Sequence, residues 1–355
     1  MNDFLGSGRA TLIGSMPQKD RAGAIDLILK AAPRIPVWPQ LPFYPAERMM
    51  VQYVEGLPGF VDSGQRQFVD CLAPDFDREV LHFYEAFIAE ADGLLDIDRS
   101  PFGLGEQTGA TFRSFVQTLK KASPALGAVK GQVTGPFTLL CGLKDQDGRA
   151  LIHDERFLDI VPKLLGLKAR WQIGILRQFK VPVIIFLDEP GLAGFGSSAL
   201  ITVSGELVVR LLGEVVEAVH AAGGLAGVHV CANTDWQLVF DSNVDIINFD
   251  SYGYFEKFAI YSKQFFDFID RGANMAWGVV PTSDPEAIRS ETPESLLARW
   301  TAQVGSLAAG RLTRDELIEH SLFTPGCGCG SLPEDQAARV LDLLTGFCRL
   351  IQKDR

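Results

Sequence analysis

From about residue 127 the chain alternates short apolar runs with long helical patterns, and that alternation most constrains its fold. The strand-like runs lie at 128–133, 181–187, 225–231, 244–249, 275–280 and 322–324. Helical patterns separate or follow them at 152–179, 205–222, 255–269, 293–309 and 333–351. Strand and helix in strict succession mean a parallel sheet with helical crossovers. Upstream, 10–14 followed by 21–32 fits a first such unit, and Val37-Trp38 reads as a second strand. About eight strands favour a (β/α)8 TIM barrel over an open doubly wound sheet. No Gly-x-Gly-x-x-Gly turn follows the first strand, which lowers the dinucleotide-binding alternative. A plain barrel needs ~250 residues, and this chain has 355. The excess falls in 33–110, rich in Pro, Gly and aromatics, and reads as an N-terminal excursion over the C-terminal mouth. Without linker, low-complexity tract or internal repeat, 1–355 reads as a single barrel domain.

Composition narrows the partners. Apolar residues make up 47% and charged residues 22%, ordinary for a soluble globular protein. The net charge of −11 argues against nucleic-acid binding, which needs basic surface. No apolar run approaches the ~18 residues of a membrane span, and the first residues carry no basic-then-apolar signal, so the expectation is a cytoplasmic protein off the membrane. Six cysteines in so long a chain make no disulfide scaffold; their spacing points to metal or thiol chemistry.

The sharpest chemical feature is Val228-His229-Val230-Cys231, at the carboxyl end of a strand-like run. Residues two apart on a strand point the same way, so His229 and Cys231 can reach one ion. The second is Thr324-Pro325-Gly326-Cys327-Gly328-Cys329-Gly330, again just after an apolar run. Cysteines among glycines sit on a bending backbone that can wrap a soft metal. One imidazole nitrogen and two thiolates suit Zn²⁺, and three protein ligands leave a position open for catalysis. Either Cys327 or Cys329 fills the third place. Asp250, closing the run after His229, is a candidate fourth, displaceable ligand; its alternative is a helix N-cap.

Three further features bear on substrate. Asp188 and Glu189 follow a very apolar strand, where carboxylates are expensive unless used or paired. They bind an ammonium group or, alternatively, cap a helix. Gly14 and Ser15, in Ile13-Gly14-Ser15-Met16-Pro17, offer backbone N–H groups for a carboxylate. Trp38, Phe43 and Tyr44 line the mouth or pack a lid. Cys71, Cys141 and Cys348 lie in apolar surroundings and read as packing residues.

Taken together these residues resemble the catalytic half of cobalamin-independent methionine synthase, among the uroporphyrinogen-decarboxylase-like barrels. The matching segments are Thr11-Leu12-Ile13-Gly14-Ser15-Met16-Pro17-Gln18, Val133-Thr134-Gly135-Pro136-Phe137-Thr138-Leu139, Asp188-Glu189-Pro190, His229-Val230-Cys231, Asp245-Ile246-Ile247-Asn248-Phe249-Asp250 and Pro325-Gly326-Cys327-Gly328. The resemblance implies a barrel whose catalytic zinc, held by His229, Cys231, Cys327 and Asp250, readies a thiol for methylation in methionine formation. It implies that Asp188, as catalytic and substrate-binding residue, acts with Gly14, Ser15 and Glu47 on homocysteine, Glu47 lying near a substrate-binding glutamate of the family. It also favours Cys327 over Cys329 as the ligand.

Several departures separate the chain from the folate-dependent members. It does not contain the amino-terminal half that helps hold polyglutamyl folate. Asp250 stands where the family has Glu. Trp277-Gly278-Val279-Val280-Pro281-Thr282-Ser283 holds no histidine where those enzymes keep a proton donor, and Leu140-Cys141-Gly142 lacks their tryptophan. In these respects the chain is similar to the methylcobamide:thiol methyltransferases of the superfamily, which implies a methylated corrinoid, free or on a partner protein, as methyl donor. The alternatives are a metal-free decarboxylase of a porphyrin-like substrate and a non-catalytic corrinoid- or zinc-binding accessory protein.

Overall fold

The computed structural model describes residues 4–91, 100–308 and 310–353. Positions 92–99, within the expected excursion, and 309, at the end of an expected helix, lie outside the described residues.

The strands are β1 (Arg9–Ala10), β2 (Phe60–Asp62), β3 (Gln67–Val69), β4 (Val129–Thr134), β5 (Val183–Asp188), β6 (Leu225–Val230), β7 (Ile246–Phe249), β8 (Asn274–Val280) and β9 (Ser321–Pro325). β2 and β3 form a small antiparallel hairpin of their own. The other seven make one parallel sheet in the order β1-β9-β8-β7-β6-β5-β4. Helices such as Glu155–Leu176, Gly205–Ala221, Pro293–Ala308 and Glu334–Lys353 connect and cover it.

Every residue of β4 through β9 is buried, which explains why these strands read as unbroken apolar runs and not as alternating ones. Alternation reappears in which core each residue joins. Val183, Ile185, Leu187, Ala226, Val228, Ile247, Phe249, Met275, Trp277 and Phe323 pack outward, in the large core with the helices. Ile184, Phe186, Leu225, Ile246, Ala276 and Leu322 point the other way and, with Phe4, Ile35 and Ala128, form a second core inside the curl of the sheet. The pleat's period of two assigns these sets.

The sequence led to an eight-stranded closed barrel; the structure holds a curled seven-stranded sheet. Where another strand would close the curl, 37–40 makes single parallel bridges, Val37 with Lys130 on β4 and Gln40 with Ser15 beyond β1. Lys130 N donates to Pro36 O at 2.9 Å and Met16 N to Gln40 O at 2.9 Å. Pro36 and Pro39 have no N–H to give, so a continuous ladder cannot form there. For the same reason Val37-Trp38 is no strand; the first strand, expected over 10–14, spans only Arg9–Ala10, paired with β9. The helix expected over 255–269 is two, Ser251–Ala259 and Ser262–Asp270. Part of the excursion does cover the carboxyl ends of the strands: Thr134, the last residue of β4, donates its hydroxyl to Met49 O at 2.6 Å. Among the described residues no helix is long and apolar enough to cross a membrane.

Candidate metal centre

Inward-facing positions change character along the strands. Near the amino ends they are the apolar residues of the inner core. Near the carboxyl ends the same parity places Gln132 and Thr134 on β4, Asp188 on β5, His229 on β6, Asn248 on β7 and Thr324 on β9, with Lys130 lower on β4 beside Ile184, all buried. Four of them stand in one register row, Thr134 beside Asp188, Asp188 beside His229, and His229 beside Asn248.

Cys231 follows β6 and so shares the face of His229. Cys327 arrives from the loop after β9. Ser15 pins that loop: its carbonyl accepts from Cys329 N at 2.9 Å and its hydroxyl from Gly330 N at 3.3 Å. A Cβ at Gly328 would run into Ser15 Oγ, so only glycine lets the loop pass this close. The ligand atoms of His229, Cys231 and Cys327 thereby lie within 4.8 Å of one another. One ion spans such a gap, since zinc sits ~2.0–2.3 Å from nitrogen and sulfur ligands. Among the described residues this is the cluster able to hold a metal. Cys329 is outside it, buried at 3% exposure, its thiol pushed up to about 12 by burial.

The donor chemistry fits a borderline-soft cation. His229 Nε2 is buried with no hydrogen-bond partner, while Nδ1 lies 2.5 Å from Asn248 Oδ1. A hydrogen bond with Cys327 holds Cys231 well below the usual thiol range, against burial and with help from His229. The same bond, with burial, pushes Cys327 up. Burial pushes His229 down, but the Cys231 sulfur and the Asp188 carboxylate outweigh it and leave its basicity raised.

Asp250, expected as a fourth ligand, is not in the cluster. It is the N-cap of helix Ser251–Ala259, and its Oδ1 accepts from Gly253 N at 2.9 Å. Burial pushes its carboxyl up, while the Gly253 N–H and, after it, His229 hold it down. Aspartate's shorter side chain serves the helix terminus instead.

Beside the three ligands opens a cavity of about 400 Å³, lined among others by Ser15, Gln40, Arg48, Met49 and Asp188. Asp188 Oδ1 is buried and unpartnered, and burial pushes this carboxyl up against the pull of Lys130. Lys130, equally buried, donates to Ile13 O at 2.7 Å and lies 4.2 Å from the Phe186 ring centroid. Glu189 turns away from the cavity. Its carboxylate accepts from Phe137 N at 2.9 Å and Thr138 N at 2.8 Å, capping helix Pro136–Gly142. Of the two adjacent carboxylates, one is therefore left for a ligand.

Two expected substrate residues stand elsewhere. Glu47 is fully buried and bound to Thr111 Oγ1 at 2.7 Å and Arg21 Nη2 at 3.1 Å, off the cavity wall; its neighbour Arg48 lines the cavity instead. Gly14 itself is not on the cavity wall, although its neighbours Ile13 and Ser15 are. Its φ of +144° and the Gln132 amide, 3.1 Å from where a Cβ would stand, explain the glycine. Sequence reasoning passed over Lys130, Gln132, Asn248 and Thr324. Their signal was present: polar residues at one parity inside otherwise apolar parallel strands.

No protein-family model and no curated protein matches the chain. Among solved structures it is similar to a B12-independent methionine synthase from Shewanella sp. W3-18-1 in complex with selenomethionine, at 18% identity and TM-score 0.47, over 68% of this chain and 67% of that one. A methyltransferase from Methanosarcina mazei aligns at 12% identity and TM-score 0.38 over 68% of this chain and 64% of that one. The tandem GH20 catalytic modules of the pneumococcal exo-β-D-N-acetylglucosaminidase StrH align at 11% identity and TM-score 0.47, over 97% of this chain and 85% of that one. With a glycosidase scoring as high as a methyl-transfer enzyme, these likenesses select no reaction.

Proposed function

We propose that the chain is a zinc-dependent S-methyltransferase that readies a thiol, homocysteine, for methylation and takes the methyl group from a methylated corrinoid, free or on a partner protein, rather than from folate. In this reading residues 1–355 form one cytoplasmic (β/α)8-type domain, with 37–40 standing in for the second strand. The observation that carries it is the meeting of His229, Cys231 and Cys327 within 4.8 Å at the wall of a cavity. The motifs that resemble methionine synthase run through the same residues.

His229 Nε2 and the sulfurs of Cys231 and Cys327 would hold the zinc, and bound zinc supplies deprotonation of an incoming thiol near neutral pH, where a free thiol of pKa ~8.5 is mostly protonated. Two thiolates and a neutral imidazole balance a doubly charged cation, so the ligand set does not withdraw much electron density from a nucleophile. Asp188, buried and unpartnered on the same cavity, is placed for an ammonium group, which directs the choice toward an amino-acid thiol. Cys329 N, donating to Ser15 O, ties the Cys327 loop to the segment after β1 on the same cavity. The chain's work is thus to hold and orient.

A decarboxylase of a porphyrin-like polyacid needs several cations facing its substrate. Among the described residues Arg48 is the one arginine on this cavity wall, and its Nε already donates to Pro42 O at 3.3 Å. An accessory protein would have no use for the unpartnered Asp188.

The test incubates zinc-loaded protein with homocysteine and either methylcobalamin or a methylated folate. Methionine formed with methylcobalamin and not with folate is expected. No methionine from either donor would refute the proposal.

A further inference from the structure

We propose that Asn248 is the positioning residue that locks His229 with Nδ1 protonated and Nε2 bare, so that the bare nitrogen faces the two sulfurs. The inference rests on the metal-site reading above, but its geometry stands by itself.

The amide can be oriented without ambiguity. Asn248 Nδ2 lies 2.7 Å from Ala276 O. A backbone carbonyl has no proton to give, so the nitrogen of the amide must face it. The other Nδ2 hydrogen meets Thr324 Oγ1 at 2.8 Å. Oδ1 is thereby turned to His229 Nδ1, at 2.5 Å. An amide oxygen only accepts, so the Nδ1 position must carry the hydrogen. In a neutral imidazole the second nitrogen is then a bare lone pair, and that nitrogen is the buried atom without a partner. A fixed outer partner of this kind sets ring orientation and tautomer in metal-binding histidines.

The same side chain braces the centre. Asn248 sits on β7 between His229 on β6 and Thr324 on β9, and Thr324 precedes Cys327 by three positions. Both donors and the acceptor are satisfied at zero exposure. An amide buried inside an apolar strand is costly unless so used. An amide oxygen, unlike a carboxylate, also accepts the Nδ1 hydrogen without adding charge to a site that already holds two sulfurs.

The test is a long-range ¹⁵N–¹H spectrum of the zinc-free full-length protein, with the His229 ring assigned by its loss in His229→Gln, alongside zinc titration by a competing chelator. At a pH high enough for the ring to be neutral, where tautomers are defined, wild type should show His229 as the Nδ1–H form. Asn248→Leu should move the ring toward Nε2–H and weaken zinc binding about ten- to hundredfold. Asn248→Asp keeps an acceptor for Nδ1 but sets its second oxygen against Ala276 O and adds a charge, so it should keep the Nδ1–H tautomer and bind zinc more weakly than wild type. If the leucine variant does not fold, the wild-type spectrum and the aspartate variant decide. A wild-type ring protonated on Nε2, or a folded leucine variant with unchanged tautomer and affinity, would overturn the proposal. A chain that takes up no zinc yet shows the Nδ1–H form would sink the metal reading and still support the lock.

Discussion

Replacing each cysteine of the glycine loop by serine separates a ligand from a bystander. Cys327 Sγ is within 4.8 Å of the other two donors, whereas Cys329 is at 3% exposure outside the cluster. Four-ligand zinc sites bind with ~10–16 kcal/mol, or about 3 kcal/mol per ligand. A serine hydroxyl is a hard, neutral and poor substitute for a thiolate. Cys327→Ser should therefore weaken zinc binding by roughly a hundredfold, at ~1.4 kcal/mol per decade. Cys329→Ser buries a hydroxyl in apolar surroundings and should cost ~1–3 kcal/mol of folding stability while leaving zinc affinity within a few-fold. Competition with a chromophoric chelator measures the first quantity and denaturant unfolding the second. If Cys327→Ser binds zinc like wild type, or if Cys329→Ser loses as much affinity, the assignment of the loop is wrong.

Asp188→Asn removes the negative charge facing the cavity. A hydrogen bond to a charged group contributes ~1.5–3 kcal/mol, so KM for the amino-acid thiol should rise by about ten- to a hundredfold with zinc content unchanged; an unaltered KM would show that substrate does not reach this carboxylate. At the opposite end of the strands, His220 Nε2 lies 2.8 Å from Asp245 Oδ2, and that hydrogen bond raises His220 above its ordinary value of 6.5. The folded chain holds this proton more tightly than the unfolded one, so the contribution is complete below pH 6.5 and is lost as pH rises through the folded value. With the pair partly exposed it is worth roughly 0.5 kcal/mol, and His220→Asn should flatten the unfolding free energy by that amount between pH 5.5 and pH 8.5; an unchanged slope would assign the pH dependence to other groups.

The parallel sheet was legible because its strands are buried on both faces and its crossovers are strongly periodic. Closure was not, because a proline-broken segment at 36–40 does the bridging with isolated bonds that leave no strand pattern. His229 and Cys231 stood out through period-two spacing, and Cys327 through the glycines around it. The resemblance already favoured it over Cys329, and the fold adds the tie of Cys329 N to Ser15, more than three hundred residues away. Asp188 and Glu189 are neighbours in sequence but face different elements, one the cavity and the other helix Pro136–Gly142. Asp250, for which the sequence left both a ligand and a helix N-cap open, is the N-cap of helix Ser251–Ala259. Asn248 was hidden by its setting, an amide in an apolar run whose partners come from β6, β8 and β9.

The central claim, one imidazole and two sulfurs gathered around a single cation, is tested most directly by measuring zinc per chain together with the zinc K-edge absorption of the purified wild-type protein. The account predicts one zinc per chain with two sulfur neighbours and the remainder nitrogen or oxygen. A protein that holds no zinc after exposure to it, or zinc surrounded by nitrogen and oxygen alone, would contradict it.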